Sequence, residues 1–443
     1  MCIRDSTWED LTRLDYTDRN LWRYMAEIFL TWCRRGVDGF RCDAGYMEPI
    51  PAWQYITAKV RSRFPNTIFF LEGLGGKMST TEAILDTANF NWAYSELFQN
   101  YDRAQIEAYL PVADRLAAGC GVIVHFAETH DNLRLAARSR TYARMRTALC
   151  ALCTHQGGFG FANGVEWFAT EKIVVHDAPS LNWGASDNQI EAIRRLTALL
   201  KNHPAFHDQT DLKQIQAGSG NCLVLLRHHR PTGKKLLIAA NLDAEGTVEA
   251  AWSPTDALGE GPDFQDLLSG DRVAVRQADG LHHVSLPPGR VVCLEDSRSA
   301  TAAATFWKHP AGNPARVENQ RLRAKALDLH RCFRAPAPVL APDIDHAAAA
   351  LAADPVGFCR SLHRDTPEAR VIVWQWPQDQ RRTVMVPPGH GLLVQLDTPF
   401  QARIVAGERV LLQEQSLRSG NDTFFVLFSP GAAPAGVEDA LVT

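Results

Sequence analysis

Three carboxylates each follow a short apolar run bounded by glycine, in segments 36–43, 66–73 and 121–132; they are Asp43, Glu72 and Asp131. Near-continuous β-branched and aromatic runs of this kind, separated by amphipathic helical segments, are typical of parallel strands covered on both faces. In an α/β barrel, side chains at the C-terminal ends of several strands converge on one site. The sequence therefore predicts an active site built from carboxylates.

Two such carboxylates can cleave a glycosidic bond with retention when one is the nucleophile and the other an acid and then a base, about 5 to 5.5 Å away. Asp43 and Glu72 end neighbouring predicted strands and could lie in this way. Arg41 precedes Asp43 by two residues, on the same side of the strand, and would keep it ionised. Apolar surroundings would raise the pKa of Glu72 and hold a proton on it. Asp131 would favour the positive charge of the transition state.

Each residue also has a structural interpretation. A single strand-end carboxylate is commonly a helix cap or a loop anchor. Arg41 and Asp43 could form a structural ion pair, and His130-Asp131 could be a turn. Three such endings in one series of strands and helices favour the catalytic interpretation.

Alternating helices and strands position these carboxylates, as in a series of βαβ units. Apolar periodicity predicts helices over 8–35, 52–64, 80–86, 141–154 and 188–201, the first with Leu21, Trp22, Met25, Ile28, Phe29 and Trp32 along one face. A weak strand is predicted over 89–94. The total is about five strands, whereas a closed barrel of this type needs eight. We therefore expect a chain that is truncated at its N-terminus.

From about residue 210 the period becomes that of β-strands. Segments 221–227 and 235–241 flank Pro231-Thr232-Gly233-Lys234, which predicts a hairpin. The predicted fold class is α/β: the C-terminal part of a (β/α)8 TIM barrel with its first strands missing, then an antiparallel β-sandwich domain and a further mixed, mainly β region. The predicted domains are the partial catalytic barrel at 7–205, the all-β domain at 210–296, a linker with short helices at 297–370 and an additional β region at 371–443.

Composition excludes several other classes of protein. Hydrophobic residues make up 46% and charged residues 22% of 443 residues, as in ordinary globular proteins. The net charge of -4 gives no basic field for nucleic acid or anionic lipid. No apolar run reaches the roughly 20 residues of a membrane span, and no signal segment opens the chain. The ten cysteines are scattered, which favours reduced, buried thiols and a cytoplasmic location. The close pair Cys150 and Cys153 is predicted to pack in a core.

The carboxylate-bearing segments resemble, in order and spacing, the second, third and fourth signature regions of the α-amylase family of glycoside hydrolases; they read Gly36-Val37-Asp38-Gly39-Phe40-Arg41-Cys42-Asp43, Phe70-Leu71-Glu72-Gly73 and Glu128-Thr129-His130-Asp131-Asn132. The segment before them, Trp8-x-Asp10-Leu11, is also similar to that family. The resemblance covers about residues 8–296 and implies a (β/α)8 barrel that acts on α-linked glucans with retention. It implies Asp43 as nucleophile, Glu72 as acid/base and Asp131 as transition-state stabiliser.

The resemblance also implies supporting roles for nearby residues. Arg41 and His130 would assist the carboxylates, and Tyr46, Trp92 and Asn132 would bind substrate. Trp53, Tyr94 and Trp167 could also stack on sugar rings, and core packing is the alternative for any one of these five aromatic residues. The family's first signature region is absent, and Gly45-Tyr46-Met47 stands where many members carry a Lys-His pair that helps bind calcium. We therefore predict no metal and no cofactor.

The predicted function is hydrolysis of, or transfer between, α-1,4-linked glucans such as glycogen or maltodextrin, through a covalent glycosyl-enzyme. The chain resembles the amylase-like part of bacterial glycogen-debranching-type proteins, because it shows no export signal, has scattered cysteines and carries an extra region after 297. The expected partner is an α-glucan, with no nucleic acid and no membrane, and the sequence makes no prediction of oligomeric state.

Two alternatives stay open. One is a catalytically inactive or fragmentary carbohydrate-binding barrel, which the presence of all three carboxylates opposes. The other is a metal-dependent barrel enzyme that binds magnesium through strand-end carboxylates. That scheme needs carboxylates on successive strands, whereas the strand near Asn91-Trp92 is expected to end without one.

Overall fold

The computed structural model describes residues 14–119, 121–172, 181–215, 220–255, 257–259, 261, 263–298, 314–333, 335, 338, 340–362, 370–375, 382–384, 390–406, 409–419, 423–428 and 440–442. The approach segment Trp8-x-Asp10-Leu11 lies outside these residues. The chain divides into two compact units. The first comprises Met1–Ala127, Arg144–Phe161 and Arg195–Phe306, and the second comprises Glu128–Ala143, Ala162–Arg194 and Trp307–Thr443. The architecture is mixed α/β with several sheets.

A five-stranded sheet, parallel at every pairing, opens the first unit. Its strands follow chain order: β1 (Gly39–Cys42), β2 (Ile68–Leu71), β3 (Trp92–Tyr94), β4 (Val122–His125) and β5 (Gly158–Phe159). The α-helices of this part of the chain are α1 (Arg19–Arg34), α2 (Ile50–Arg61), α3 (Met78–Thr87), α4 (Arg103–Gly119), α5 (Leu135–Arg138), α6 (Arg140–Leu152) and α7 (Ile190–Asn202), of which α5 and the first residues of α6 and α7 belong to the second unit. Short 3-10 helices cover Gly45–Met47, Glu96–Gln99, Val165–Trp167 and Pro204–Phe206.

The two faces of this sheet differ because side chains alternate along each strand. Phe69, Leu71 and Ile123 lie on the buried face and pack in one core with residues of α1, α2 and α3. On the other face Arg41 is in register with Phe70, and Phe70 with Trp92. Trp92 is 40% exposed there. The helices therefore cover one face of the sheet, and the face that carries Arg41 is more open.

Helix α1 is shorter than the sequence predicts. It begins after Asp18, whose carboxylate accepts the Asn20 N–H at 2.8 Å as an N-cap. Its buried face consists of Ala26, Leu30 and Cys33. The prediction that Ile28 and Trp32 belong to a common apolar face is wrong, because they are 37% and 47% exposed. At about 100° per residue, each lies roughly opposite the buried side.

The chain from Thr210 to Asp296 forms two antiparallel sheets. One has the order β11-β10-β14-β8-β7-β6 and the other β12-β13-β9. The strands are β6 (Thr210–Gln214), β7 (Cys222–His229), β8 (Lys234–Asn241), β9 (Val248–Trp252), β10 (Asp263–Asp266), β11 (Arg272–Ala274), β12 (Arg276–Ala278), β13 (Leu281–Leu286) and β14 (Val291–Asp296). The predicted hairpin is confirmed as β7 and β8. Trp252 of one sheet lies 6.1 Å from Phe264 of the other, ring centroid to ring centroid, in a shared core.

The rest of the second unit combines three helices with two further sheets. The helices are α8 (Pro314–Cys332), α9 (Ala341–Ala353) and α10 (Pro355–Leu362). The strands are β15 (Arg370–Gln375), β16 (Arg382–Val384), β17 (His390–Leu396), β18 (Gln401–Ala406), β19 (Arg409–Gln415), β20 (Leu417–Arg418), β21 (Phe424–Phe428) and β22 (Ala440–Val442). The sheet orders are β15-β17-β21-β20 and β16-β22-β18-β19. Phe333, Leu351, Leu393 and Phe425 lie in a core that the helical region shares with the sheet β15-β17-β21-β20.

The cysteines whose side chains the structure describes are free and buried; they are Cys33, Cys42, Cys150, Cys153, Cys222, Cys293 and Cys359. The prediction of buried thiols is confirmed for these residues, including the pair Cys150 and Cys153 at 0% exposure. Within the described part of the chain, every helix falls short of the length and apolarity that crossing a bilayer requires.

Candidate active site

Asp43 and Glu72 emerge side by side from two paired strands. β1 and β2 are in register from Gly39 with Ile68 to Cys42 with Leu71. Past the strands, the Glu72 N–H donates to the Cys42 carbonyl at 3.0 Å, and the Glu72 carbonyl accepts the Gly45 N–H at 3.0 Å. The structure thus brings together the two carboxylates that the sequence predicts as nucleophile and acid/base.

The Glu72 side chain is buried and accepts two backbone hydrogen bonds. Its Oε2 accepts the Ala44 N–H at 2.8 Å and its Oε1 accepts the Leu74 N–H at 2.9 Å. Burial raises the pKa of Glu72, the two hydrogen bonds and Arg41 lower it, and Asp43 raises it; the net pKa is above its ordinary value. This is the direction that the sequence predicts for a carboxyl group that must hold a proton.

The residue that donates one of these hydrogen bonds has a strained backbone. Ala44 adopts the left-handed conformation, with φ 44° and ψ 33°, and is followed by the 3-10 helix Gly45–Met47. Non-glycine residues rarely adopt this conformation, and such strain is common at functional sites. Here the strained residue is the one whose N–H donates to the Glu72 carboxylate.

Asp43 has the opposite environment. Its side chain is 77% exposed and pairs with the guanidinium of Arg41 on the same side of the strand. The Arg41 guanidinium also lies 5.8 Å from the centroid of the Tyr94 ring. Burial lowers the pKa of Arg41, but Asp43 and Tyr94 outweigh it and the net pKa is raised. A permanent cation therefore lies against an accessible carboxylate, as the sequence predicts.

Two predicted substrate-binding aromatic residues lie in the first unit. Tyr46 is half-buried, and its ring contacts the loop after Glu72 so closely that a Cβ added at Gly76 would lie 2.9 Å from its Cγ. The indole of Trp92 is exposed beside Phe70, with ring centroids 5.7 Å apart. Trp53, in contrast, is buried and donates from Nε1 to the Gly45 carbonyl at 2.9 Å, so it is a core residue.

The other predicted site residues belong to the second unit. His130 and Asp131 lie in the loop after β4, where His130 Nε2 is 3.3 Å from Asp131 Oδ2. Their side chains are 45% and 60% exposed. The hydroxyl of Thr129 donates to Asn132 Oδ1 and accepts the Asp131 N–H at 3.2 Å. The loop thus presents polar groups to solvent, and their convergence with Asp43 and Glu72 stays a prediction.

Sequence reasoning missed one contributor in the first unit, Glu96. It named Tyr94 as an aromatic residue that could stack on sugar rings or lie in the core, and the structure places Tyr94 beside Arg41. Glu96 follows β3, which extends to Tyr94, so the expectation that this strand ends without a carboxylate is wrong. Glu96 Oε1 accepts the Gly75 N–H at 2.8 Å and so anchors the loop after Glu72.

The arrangement of His, Cys, Asp and Glu side chains bears on metal binding. Where the chain is described, no three His, Cys, Asp or Glu side chains are grouped as metal ligands. The prediction that the site holds no metal stays a prediction.

A buried carboxyl beside an ion-paired carboxylate at the end of a parallel sheet is an arrangement suited to acid/base and nucleophilic chemistry. Comparison with known proteins identifies similar proteins. An α-1,4-glucan:maltose-1-phosphate maltosyltransferase of Rhodospirillum rubrum is 23% identical over 314 residues, 68% of this chain and 42% of that protein. The corresponding protein of Pseudomonas aeruginosa is 24% identical over 292 residues, 60% of this chain and 42% of that protein. No family model matches the chain.

The fold comparison agrees. A maltogenic α-amylase of Thermotoga neapolitana superimposes with a TM-score of 0.52 at 17% identity, over 64% of this chain and 68% of that one. Over the part that these matches cover, the chain is similar to maltosyltransferases in sequence and to an α-amylase in fold. It spans 42% of the length of the first curated relative.

Proposed function

We propose that this chain carries the catalytic residues of a retaining enzyme for α-1,4-linked glucans, either a transferase or a hydrolase. The observation that supports it most is the contrast between two adjacent carboxylates. Glu72 is buried with a raised pKa, whereas Asp43 is exposed beside Arg41. Retaining glycoside chemistry needs this division between a proton donor and an ionised nucleophile.

In the first proposed step, an Asp43 oxygen attacks the anomeric carbon of the donor sugar. The bond from that carbon to the leaving oxygen breaks, and Glu72 gives its proton to that oxygen. A covalent glycosyl ester on Asp43 results. In the second step, an acceptor hydroxyl attacks the anomeric carbon, ionised Glu72 takes the acceptor proton, and the ester bond to Asp43 breaks. The acceptor is a sugar hydroxyl in transfer and water in hydrolysis.

The other predicted residues complete this proposal. Asp131 stabilises the oxocarbenium-like transition state, and His130 and Asn132 donate hydrogen bonds to sugar hydroxyls. Tyr46 and Trp92 offer aromatic faces to sugar rings. The half-exposed state of Trp92 and the solvent-facing side chains of His130 and Asp131 support these roles.

We also infer a finer fold class and domain layout. The five parallel strands correspond to strands of a (β/α)8 barrel within residues 7–205, and the antiparallel sheets within 210–296 correspond to the family's C-terminal β domain. The regions 297–370 and 371–443 follow as a linker with helices and an additional β region. The parallel pairing of all five strands and the superposition on the Thermotoga neapolitana amylase support this layout. The free cysteines support a cytoplasmic location.

The names of the curated relatives suggest a specific donor. They are maltosyltransferases named for α-1,4-glucan and maltose 1-phosphate. We propose that a maltosyl unit is transferred to an α-1,4-glucan, with an oligosaccharide donor as the alternative. The metal-dependent enzyme and the inactive binding barrel are not favoured, since relatives and fold neighbours are named as maltosyltransferases and amylases.

Product analysis by chromatography tests this proposal. The chain is incubated with maltoheptaose alone, and with maltoheptaose plus maltose 1-phosphate. Longer products that need maltose 1-phosphate would establish maltosyl transfer, longer and shorter products from maltoheptaose alone would establish a glucanotransferase, and only shorter products would establish a hydrolase. All products should vanish in Asp43→Asn and persist in Asp38→Asn, which alters an exposed aspartate just before β1. Absence of product from the unaltered chain, or persistence in Asp43→Asn, would contradict the proposal.

A second readout isolates the covalent step. α-Maltosyl fluoride has a leaving group that departs without a proton, so Glu72→Gln should still form the ester on Asp43. It should break the ester down slowly, because it lacks the base that takes the acceptor proton. Intact-mass analysis of Glu72→Gln should then show one added maltosyl group, absent in Glu72→Gln/Asp43→Asn.

A further inference from the structure

A buried ion pair closes the loop that carries His130 and Asp131. Glu128 and Arg134 lie on either side of residues 129–133, and Arg134 Nε donates to Glu128 Oε1 at 2.8 Å. Their side chains are only 5% and 0% exposed. The second carboxylate oxygen of Glu128, Oε2, accepts the Leu135 N–H at 2.5 Å at the start of α5. One carboxylate therefore fixes both the end of the loop and the helix that follows.

Arg134 also connects this loop to a second one. Its Nη2 donates to the Asn163 carbonyl at 3.1 Å. The adjacent Gly164 has φ +92°, and a Cβ there would lie 2.9 Å from Ala169 Cβ and 3.3 Å from Arg134 Nη2. The guanidinium is thus held between the Glu128 carboxylate and the Asn163 carbonyl, and a side chain at position 164 would crowd it. The guanidinium carries its N–H donors in one plane, as a fork, and this geometry suits the bridge. A lysine ammonium could not make both contacts in the same geometry.

The segment between the paired residues is exposed in contrast. Leu133 is 82% exposed, and Asp131 and Asn132 face solvent. Within this segment the Thr129 hydroxyl bonds to Asn132 and Asp131, and His130 Nε2 lies 3.3 Å from Asp131 Oδ2. Surface loops are more mobile than the elements they connect, so we expect the fixed ends to restrict this one.

We propose that the Glu128–Arg134 ion pair is the positioning element for Asp131. This inference rests on the proposed function, in which Asp131 stabilises the transition state. The pair touches no reacting group; it acts by fixing the backbone on both sides of Asp131. A displacement of about 1 Å in a catalytic group can cost about 100-fold in rate. Loss of the fork should therefore lower kcat more than it changes KM.

Hydrogen exchange tests the structural part without reference to activity. Arg134→Lys keeps the charge but loses the fork, and should raise amide exchange in peptides that span residues 128–135. Arg321→Lys is the matched control, because Arg321 forms another ion pair with low exposure in the same unit, 2.8 Å from Glu318. Unchanged exchange of 128–135 in Arg134→Lys would overturn the inference. Glu128→Gln/Arg134→Met removes both buried charges together, which protects folding, and should give the same local increase.

A double-mutant cycle tests the link to Asp131. With α-maltosyl fluoride as donor, Arg134→Lys should lower kcat by about 10- to 100-fold with little change in KM. In an Asp131→Asn background the same substitution should have less than about a twofold effect, because the group it positions is gone. Equal effects in both backgrounds would overturn the positioning role.

Failure of the proposed function gives a different pattern. In that case the unaltered chain and Asp43→Asn would be equally inactive, while the exchange experiment would still decide whether the ion pair fixes the loop. If Arg134→Lys raises exchange in 128–135 but the unaltered chain is inactive, the ion pair fixes the loop and its role in catalysis is refuted. If the unaltered chain is active but Arg134→Lys leaves exchange unchanged, the positioning role of the ion pair is refuted.

Discussion

At the level of single residues, the candidate site consists of two neighbouring carboxyl groups in different environments. Glu72 is enclosed and accepts two backbone N–H groups, yet burial outweighs these bonds and raises its pKa. Asp43 is open to solvent and has a cation at contact distance. The proposed proton donor and the proposed nucleophile are therefore distinguished by burial and by charge, two independent physical causes.

The raised pKa of Glu72 predicts a pH-dependent cost to stability. A buried carboxyl with a raised pKa favours the folded state while protonated, and this contribution is lost as pH rises through the folded-state pKa. Glu72→Gln mimics the protonated form. We expect its melting temperature to equal or exceed that of the unaltered chain at pH 7, and the difference to disappear as pH falls below the ordinary glutamate value.

Thermal unfolding monitored by circular dichroism between pH 4 and pH 8 measures this difference. Glu82→Gln is the control, since the Glu82 side chain is 41% exposed and pairs with Arg115 at the surface. A lower melting temperature for Glu72→Gln at neutral pH would show that its hydrogen bonds outweigh its burial.

At the level of elements, the turn after β1 joins the two carboxylates. Ala44 is in the left-handed region, and its N–H donates to Glu72 Oε2. The following Gly45 is enclosed: a Cβ there would lie 2.6 Å from Leu71 Cδ1. The turn therefore combines one strained residue with one residue that has no space for a side chain.

Substitution of Ala44 tests the importance of this turn. Ala44→Val places a β-branched residue in the left-handed region, and we expect it to destabilise the fold by about 1–3 kcal/mol and to lower kcat. Ala44→Gly should stay close to the unaltered chain, because glycine adopts this conformation freely while gaining entropy in the unfolded state. Urea unfolding and initial rates measure both effects. Similar behaviour of the two variants would indicate that the turn tolerates another conformation.

At the level of the whole molecule, a buried histidine predicts sensitivity to acid. His125 is 2% exposed at the end of β4. Burial, Arg227 and His155 lower its pKa from 6.5 to about 3. Between these values the unfolded chain binds a proton that the folded chain does not, so folding stability falls as pH drops. The slope from this group is at most about 1.4 kcal/mol per pH unit.

His125→Asn should remove this part of the pH dependence. We expect its unfolding free energy, relative to the unaltered chain, to improve steadily as pH falls from 6.5 toward 4. Denaturant unfolding at several pH values measures it, with His207→Asn, an exposed histidine, as control. A difference that does not change with pH would contradict the role of His125.

The sequence predicted the parts of this molecule that local pattern controls. Strand-end carboxylates, the order of the parallel strands and the β7–β8 hairpin follow from apolar runs and turn residues near one another in the chain. It failed where tertiary contacts decide. Ile28 and Trp32 have apolar side chains but lie away from the core, and the left-handed Ala44 has no side-chain signal at all.

The candidate site also combines contacts that local sequence predicts with contacts that depend on tertiary structure. Arg41 and Asp43 are close in sequence, and their pairing could be inferred from strand geometry. The contact of Glu96 with Gly75 joins residues 21 positions apart and depends on where β3 ends. The pair Glu128 and Arg134 spans a loop whose closure only three-dimensional structure reveals.

The buried cysteines can report local unfolding of the molecule through their reaction with thiol reagents. Burial raises the pKa of Cys42 and of Cys359 to about 12, so neither reacts with a thiol reagent while enclosed. Cys42 directly precedes Asp43 in the first unit, and Cys359 lies in α10 of the second. The rate at which each is labelled under native conditions reports how often its surroundings unfold. Equal rates would mean that the strand ends at Asp43 and Glu72 and the C-terminal region open as one cooperative event. A faster rate at Cys359 would mean that the C-terminal region opens while these strand ends stay closed.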